Sequence, residues 1–198
     1  MAVTSTYVDL LRHGEVKGGS CYRGITDDPL STAGWIQMQN KIAMQSTPWD
    51  VIISSPLLRC HTFAEHLSTK LQLPLISTLA LQEIDFGDWE GKTAAQINPQ
   101  LLAQFYADPN NFPAPNGERF DDFQLRVLDA WLSLLDVYKG QRILLITHAG
   151  VIRVVLANIL SIDTHHSFRL KIAHACLSSI ECFCDTEAEY FLQLVKHG

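Results

Sequence analysis

The sequence has no run of about 20 apolar residues, and its first residues lack a basic segment followed by an apolar stretch. From the first absence we expect no membrane span, and from the second no secretory signal. Basic residues are scarce, with 15 Lys and Arg against 21 Asp and Glu, and the resulting net charge of −6 argues against a nucleic-acid-binding surface. We therefore expect a cytoplasmic protein with no membrane or nucleic-acid partner.

The cysteines form no C-x-x-C pair, and their number is odd. They lie in or beside apolar segments, which favours reduced, mostly buried thiols over a disulfide framework and agrees with a cytoplasmic location. The five positions are Cys21, Cys60, Cys176, Cys182 and Cys184.

Several motifs that bind phosphate or supply a nucleophile are also missing. The sequence has no G-x-x-x-x-G-K-[ST] loop, no G-x-G-x-x-G and no G-x-S-x-G. No carboxylate cluster suggests magnesium. His165 and His166 resemble a metal-binding pair, but adjacent residues seldom face one ion, and we expect no Cys or acidic partner at ligand spacing. The prediction is that the protein uses no metal and no cofactor.

The length and composition indicate a globular protein. The length of 198 residues, with 47% hydrophobic and 18% charged residues, predicts one domain over residues 1–198 with a sizeable core. The apolar pattern predicts a strand–helix alternation that ends in a hairpin, and hence an α/β fold with a mostly parallel sheet. The predicted strands are 7–12, 51–53, 143–146, 176–183 and 190–195, and the predicted helices follow Ser31, enter at 54–56, resume at Phe120 and span 151–160.

Helix entries, a turn and one irregular segment are also predicted. Ser31 is expected to cap the first helix, and Ser54-Ser55-Pro56 to open the second one. A turn is expected at 184–189, between the last two strands. Residues 83–118 are rich in turn-forming residues, and we interpret them as an irregular excursion from the scaffold.

Charged and polar side chains follow three of the predicted strands. The first strand ends at Arg12-His13, the second leads into a helix that carries Arg59 in its opening turns, and the third ends at His148. Ligands of open α/β sheets bind outside the carboxyl ends of the strands, where helix N-termini add free N–H groups. A cationic pocket on an acidic protein predicts a small anionic ligand, most economically a phosphoryl group.

These residue types suggest a chemistry that needs no metal. A neutral imidazole can attack phosphorus and form a covalent intermediate, while arginines and a second imidazolium hold the equatorial oxygens. The leaving alkoxide needs a proton from a nearby carboxylic acid. The segment "LQEIDFGDWEG" offers four candidates, Glu83, Asp85, Asp88 and Glu90, with aromatic neighbours that would raise a carboxyl pKa. Their spacing does not choose among the four.

Five ordered motifs, spanning residues 8–180, resemble the histidine phosphatase superfamily in its phosphoglycerate-mutase-like branch: "LLRHGE", "SSPLLRCHTFAE", "LQEIDFGDWEG", "PNGERFDDFQLRV" and "THAGVIR". The resemblance implies a three-layer α/β/α fold with His13 as the phosphorylated nucleophile. It implies that Glu83 is the proton donor and that the backbone N–H of Ala149 adds a phosphate contact. The phosphoryl-binding side chains that it implies are Arg12, Arg59 and His148.

The segment "CYRGITDDPLSTAG" resembles α-ribazole phosphatases, which act in assembling the nucleotide loop of cobalamin. This likeness implies α-ribazole 5′-phosphate as substrate, with Arg23 and Gly24 at the substrate mouth. Two positions depart from the family pattern: Val16 stands where many members have Thr or Ser, and Arg119 where Ser is common. Arg119 is expected to alter the preference for the non-phosphate part of the substrate.

Other functions remain open from the sequence. The same motifs are similar to those of broad-specificity histidine phosphatases and of phosphoglycerate-mutase-type phosphotransferases. A mutase needs a lid, for which residues 83–118 look too short. A phospholigand-binding protein without activity is disfavoured, because all five catalytic positions are filled. The oligomeric state is open, with a homodimer among the options.

Overall fold

The computed structural model describes residues 4–46, 48–184 and 190–198. The strands are β1 (Thr4–Arg12), β2 (Val51–Ser54), β3 (Leu75–Ser77), β4 (Arg142–Thr147), β5 (Leu177–Cys184) and β6 (Tyr190–His197). The helices are α1 (Thr32–Ala43), α2 (Leu58–Leu71), α3 (Pro99–Ala107), α4 (Phe120–Val137), α5 (Ala149–Ile159) and α6 (Thr164–Ser167). Short 3₁₀ helices occupy Leu79–Leu81, Gly87–Trp89 and Ala94–Gln96.

The six strands form one mixed sheet in the order β3-β2-β4-β1-β5-β6. The pairs β3-β2, β2-β4 and β4-β1 are parallel, whereas β1-β5 and β5-β6 are antiparallel. In the register, Arg12 lies opposite Thr147, and Ser54 lies opposite Ile146. The carboxyl ends of β1, β2 and β4 therefore meet at one edge, as the sequence predicts.

Apolar side chains cover both faces of this sheet. Along β4, Ile143 and Leu145 belong to a buried cluster that includes residues of α4 and α5. Their neighbours Leu144 and Ile146 belong to a second cluster, formed with residues of α1 and α2. Because successive residues of a strand point to opposite faces, this alternation produces the predicted three layers, α/β/α.

The predicted elements are present, and three short ones were missed. The strand β3 and the helix α6 span three and four residues, too few for a periodic pattern. The helix α3 lies inside the segment that we interpreted as irregular. Its signal was present, since Asn98 caps it through Oδ1 and Pro99 stands in its first turn. Of the predicted turn at 184–189, residues 185–189 lie outside the described residues.

The two predicted helix entries have different outcomes. Ser31 caps α1 as expected, because its Oγ accepts a hydrogen bond from Gly34 N at 3.0 Å. The prediction for α2 is wrong: the helix begins at Leu58, after the predicted Ser54-Ser55-Pro56. Its first N–H donates to Asp27 Oδ1 at 2.6 Å. The cap thus comes from a loop about 30 residues earlier, which local sequence does not reveal.

Within the described ranges, no helix combines the length and the apolar character needed to cross a bilayer. Cys60, Cys176 and Cys182 are buried, and neither Cys60 nor Cys176 forms a disulfide with another described residue. Burial raises the pKa of the Cys60 thiol, which makes it unreactive. The prediction of buried thiols outside a disulfide is confirmed for Cys60 and Cys176.

Candidate active site

A cavity of about 720 Å³ opens beside the carboxyl ends of β1 and β4. Its floor and walls come from the end of β1, the loop 15–23, the segment 83–86, the first turns of α5 and His174. The predicted site residues that line it are Arg12, His13, Arg23, Glu83 and Ala149.

His13 is held as a neutral imidazole with one free nitrogen. Its Nδ1 lies 2.7 Å from Gly14 O, which accepts a hydrogen bond and assigns the proton to Nδ1. No group among the described residues hydrogen-bonds Nε2. Burial lowers the pKa of His13 well below its usual range, and the charges of Arg12 and Arg59 lower it further. The unprotonated Nε2 is therefore available as a nucleophile.

Arg12 presents an unsatisfied donor beside His13. Its Nη1 donates to Ile172 O at 2.7 Å, which fixes the direction of the guanidinium. Its Nε is buried and has no hydrogen-bond partner among the described residues. Leaving a buried donor unpaired costs about 1–3 kcal/mol, so an anion that accepted this bond would relieve the penalty.

Glu83 is the acidic residue of its segment that faces the cavity. It is buried, and its two carboxylate oxygens accept hydrogen bonds from Gly150 N at 3.0 Å and Ile84 N at 3.2 Å. A Cβ at position 150 would collide with Glu83 Oε1, so glycine there allows helix α5 to start against the carboxyl group.

The other three candidate acids have partners within the protein. Asp85 Oδ1 accepts from Gly87 N, and Asp88 Oδ2 accepts from the Asn116 amide. Glu90 binds the backbone N–H groups of Ile25, Thr26 and Phe86 and the Thr26 hydroxyl. Of the four candidates, Glu83 is the one that also lines the cavity, whereas Asp85, Asp88 and Glu90 do not.

Arg59 lies fully buried behind this cavity. Its Nε donates to His148 Nδ1 at 3.3 Å, and its two terminal nitrogens donate to Thr26 O and Gly24 O at 2.7 and 2.6 Å. The carbonyl groups of the loop 24–26 therefore fix the guanidinium. Arg59 does not line the cavity in this structure, whereas the family resemblance implies a direct phosphoryl contact.

His148 is also adjacent to His13 and fully buried. The two imidazole rings meet edge to face, with centroids 5.3 Å apart. Its Nε2 lies 2.7 Å from Ser55 Oγ, so both ring nitrogens have protein partners. Burial, followed by the charge of Arg59, lowers the pKa of His148 well below its usual range. The ring is neutral in this state, in contrast to the imidazolium that the sequence predicts.

Arg23 and Gly24, which were expected at the substrate mouth, contact other parts of the protein. Arg23 lines the cavity, but its guanidinium binds Asp28, Gly19 O and Lys17 O at 2.7–3.1 Å, so it fixes the glycine loop. Gly24 is buried outside the cavity lining, where a Cβ would collide with Ile84 O. Its role is to let the loop 24–26 approach the 84–90 segment and to present its carbonyl to Arg59.

Val16 and Arg119, the two positions that depart from the family pattern, differ in their relation to the cavity. Val16 lines the cavity and pairs through its backbone with Leu30. Arg119 is exposed, forms an ion pair with Asp121 and does not line the cavity. The expectation that Arg119 alters substrate preference is therefore not supported by its position.

Sequence reasoning missed several cationic or titratable groups on the cavity wall, among them Arg153 and His174. Arg153 stands four residues after Ala149, so the two residues share one face of α5. This spacing within "THAGVIR" could have indicated that Arg153 reaches the cavity. His174 follows no motif, and its ring centroid lies 5.7 Å from that of His13. Burial, with the charge of Arg12, lowers the pKa of His174.

The histidine pair outside the site needs one correction. Asp163 supplies the acidic neighbour that we did not expect, because its carboxylate lies within 4.8 Å of ligating atoms of His165 and His166. Asp163 is the N-cap residue of α6, the short helix that carries both histidines. Asp163 and His165 are exposed, and none of the three residues reaches the cavity.

The buried neutral histidines predict a specific loss of stability in acid. His13 and His148 have lowered pKa values in the folded state, whereas an unfolded imidazole titrates near about 6.5. The contribution of these two histidines to the free energy of unfolding is complete above pH ~6.5. It is lost as the pH falls toward their folded-state pKa values, because the unfolded chain then binds more protons than the folded one. We expect the free energy of unfolding to fall by up to about 1.4 kcal/mol per pH unit for each histidine.

Denaturant unfolding between pH ~7.5 and ~5.5 measures this slope. His148→Gln is expected to flatten it, and the exposed His165→Gln is the matched control that should leave it unchanged. Equal slopes in the wild type and His148→Gln would contradict the buried neutral state of His148.

Comparison with known proteins agrees with this geometry. The family model "Histidine phosphatase superfamily (branch 1)" matches residues 8–190. A bifunctional protein of Mycobacterium tuberculosis is 31% identical over 92% of this chain, which spans 52% of that relative's length. The adenosylcobalamin/alpha-ribazole phosphatase of Escherichia coli is 27% identical, covering 87% of this chain and 88% of the relative. The structure of Bacillus stearothermophilus YhfR superposes with a TM-score of 0.83 at 27% identity, over 96% of each chain.

Proposed function

Because the chain belongs to the histidine phosphatase superfamily (branch 1), we propose that it hydrolyses a small phosphate monoester through a phosphohistidine at His13. One observation carries the proposal. Two neighbouring groups, His13 Nε2 and the buried Arg12 Nε, have no hydrogen-bond partner among the described residues and belong to residues that line the same cavity. They match the nucleophile and the anion-binding donor that phosphoryl transfer requires.

In the first step, His13 Nε2 attacks phosphorus, and the bond between phosphorus and the ester oxygen breaks. Arg12 Nε and the N–H at the start of α5, at Ala149, stabilise the phosphoryl oxygens. Glu83 gives its proton to the departing alkoxide, so the alcohol leaves neutral and Glu83 becomes a carboxylate. The His148 ring lies next to that of His13, and Arg59 donates a hydrogen bond to His148. We propose that both side chains contact the phosphoryl group once the substrate is bound.

In the second step, a water molecule replaces the alcohol beside Glu83. The Glu83 carboxylate takes a proton from this water as it attacks phosphorus, and the bond between His13 Nε2 and phosphorus breaks. Inorganic phosphate leaves, and both His13 and the protonated Glu83 are restored. No metal or cofactor takes part in either step.

We propose α-ribazole 5′-phosphate as the substrate, and hence a role in cobalamin nucleotide-loop assembly in the cytoplasm. The segment "CYRGITDDPLSTAG" and the likeness to the Escherichia coli relative support this choice. The wall near Glu83 adds a physical reason. Phe86 and Tyr22 line it, with ring centroids 5.2 Å apart, and offer an apolar surface to a flat heteroaromatic group.

The described strands form one sheet, which supports residues 1–198 as a single catalytic domain. The matched region covers 52% of the mycobacterial relative's length, so we propose none of that relative's further functions for this chain.

Phosphate release from a substrate panel tests the proposed substrate. We expect kcat/KM for α-ribazole 5′-phosphate to exceed that for ribose 5-phosphate by about tenfold or more, since one buried apolar contact contributes about 1–3 kcal/mol. Equal values would indicate a broad-specificity phosphatase. With 3-phosphoglycerate, inorganic phosphate without isomer formation is expected, and isomer formation would indicate a mutase.

A further inference from the structure

Glu83 sits on a segment that regular secondary structure does not fix. Residues 82–86 lie between two 3₁₀ helices, each three residues long. A proton donor has to be placed precisely, because a shift of about 1 Å at a reacting group can lower a rate by about 100-fold. Something outside this segment must therefore hold its backbone.

The guanidinium of Arg126, on α4, makes these backbone contacts. Its Nη1 donates to Ala80 O at 2.9 Å and to Gln82 O at 3.0 Å, and its Nη2 donates to Glu83 O at 3.2 Å. The remaining N–H groups donate to Glu118, Nε to Oε1 at 2.6 Å and Nη2 to Oε2 at 2.8 Å. All five N–H donors of the side chain are thus used.

Glu118 secures the other side of Glu83. Its backbone N donates to Asp85 O at 2.9 Å, and its Oε2 accepts from Asp85 N at 3.4 Å. One ion pair therefore binds the backbone both before and after the proton donor. Arg126 also stacks on the ring of the fully buried Phe123, 4.8 Å from its centroid, which anchors the pair to the core.

The pair contacts the backbone around Glu83 from outside the cavity. Neither Arg126 nor Glu118 lines the cavity, and their side chains are 27% and 20% exposed. We propose that Arg126 and Glu118 are positioning residues that hold the Glu83 carboxyl where it can protonate the leaving group. This inference rests on the proposed role of Glu83 as the general acid.

Arg126→Lys tests the proposal, because lysine keeps the charge but has three N–H donors in place of the planar fork. We expect kcat/KM for alkyl phosphates to fall about 10- to 100-fold, and that for p-nitrophenyl phosphate, whose leaving group needs no proton, to stay within about twofold. Glu118→Gln should show the same pattern more weakly. Arg119→Lys is the matched control, since Arg119 forms an exposed ion pair nearby without touching residues 80–85.

The Glu83→Gln background separates positioning from general stability. There Arg126→Lys is expected to add no further loss on alkyl phosphates, because the acid that it positions is absent. An equal loss on both substrate classes, or a full additional loss in the Glu83→Gln background, would overturn the proposal. If Glu83→Gln itself showed no dependence on the leaving group, the general-acid assignment would fail instead. Thermal unfolding of each variant confirms that it is folded.

Discussion

Replacing His13 with asparagine is expected to lower kcat by about 1,000-fold or more on every phosphate monoester, because the variant has no nucleophile. Asparagine is the informative choice because its side-chain amide can still donate to Gly14 O in place of Nδ1. The local backbone is then preserved while the attacking nitrogen is lost. The variant should also be less sensitive to acid, since a buried group whose pKa burial lowers has been removed.

Steady-state phosphate release measures this loss. His66→Asn is the control, because His66 is exposed and lies outside the cavity lining. Activity of His13→Asn within about tenfold of the wild type would exclude a covalent step at this residue.

Replacing Glu83 with glutamine should produce a loss that depends on the leaving group. General acid catalysis contributes about 100- to 10,000-fold, and this factor should be lost on alkyl phosphates, whose alkoxides need a proton. Aryl phosphates, which release a stable phenolate, should lose much less in the first step. The glutamine amide oxygen can still accept a hydrogen bond from Gly150 N or Ile84 N, so the structure of the cavity wall is preserved.

Comparing kcat/KM over a series of alkyl and aryl phosphates tests this expectation, since kcat/KM reports the first irreversible step. Glu65→Gln serves as the control, because Glu65 is exposed on α2 and lies outside the cavity lining. Equal losses across the series would exclude Glu83 as the acid.

The sequence predicted the site through the ends of its strands. Arg12, His13 and His148 follow apolar runs, and parallel strands bring such ends to one edge of a sheet. Composition and apolar periodicity were enough for this inference. The choice of Glu83 among four acids needed the family resemblance, because spacing carries no information about which carboxylate faces the cavity.

The parts that were not predicted depend on contacts between distant segments. Arg59 was expected to face the phosphoryl group directly, but the carbonyl groups of Gly24 and Thr26 hold it behind His13. Gly14 directly follows the proposed nucleophile His13. In the structure a Cβ there would collide with the backbone of Gly34, so glycine is required for loop packing against α1.

The central claim is that turnover passes through a phosphorylated His13. Rapid-quench experiments with ³²P-labelled p-nitrophenyl phosphate, stopped in alkali, test it most directly. We predict an alkali-stable, acid-labile label on the peptide that contains His13, formed and lost at rates that account for turnover. Phosphate release by the wild type without such a label, or an equal label on His13→Asn, would contradict the account.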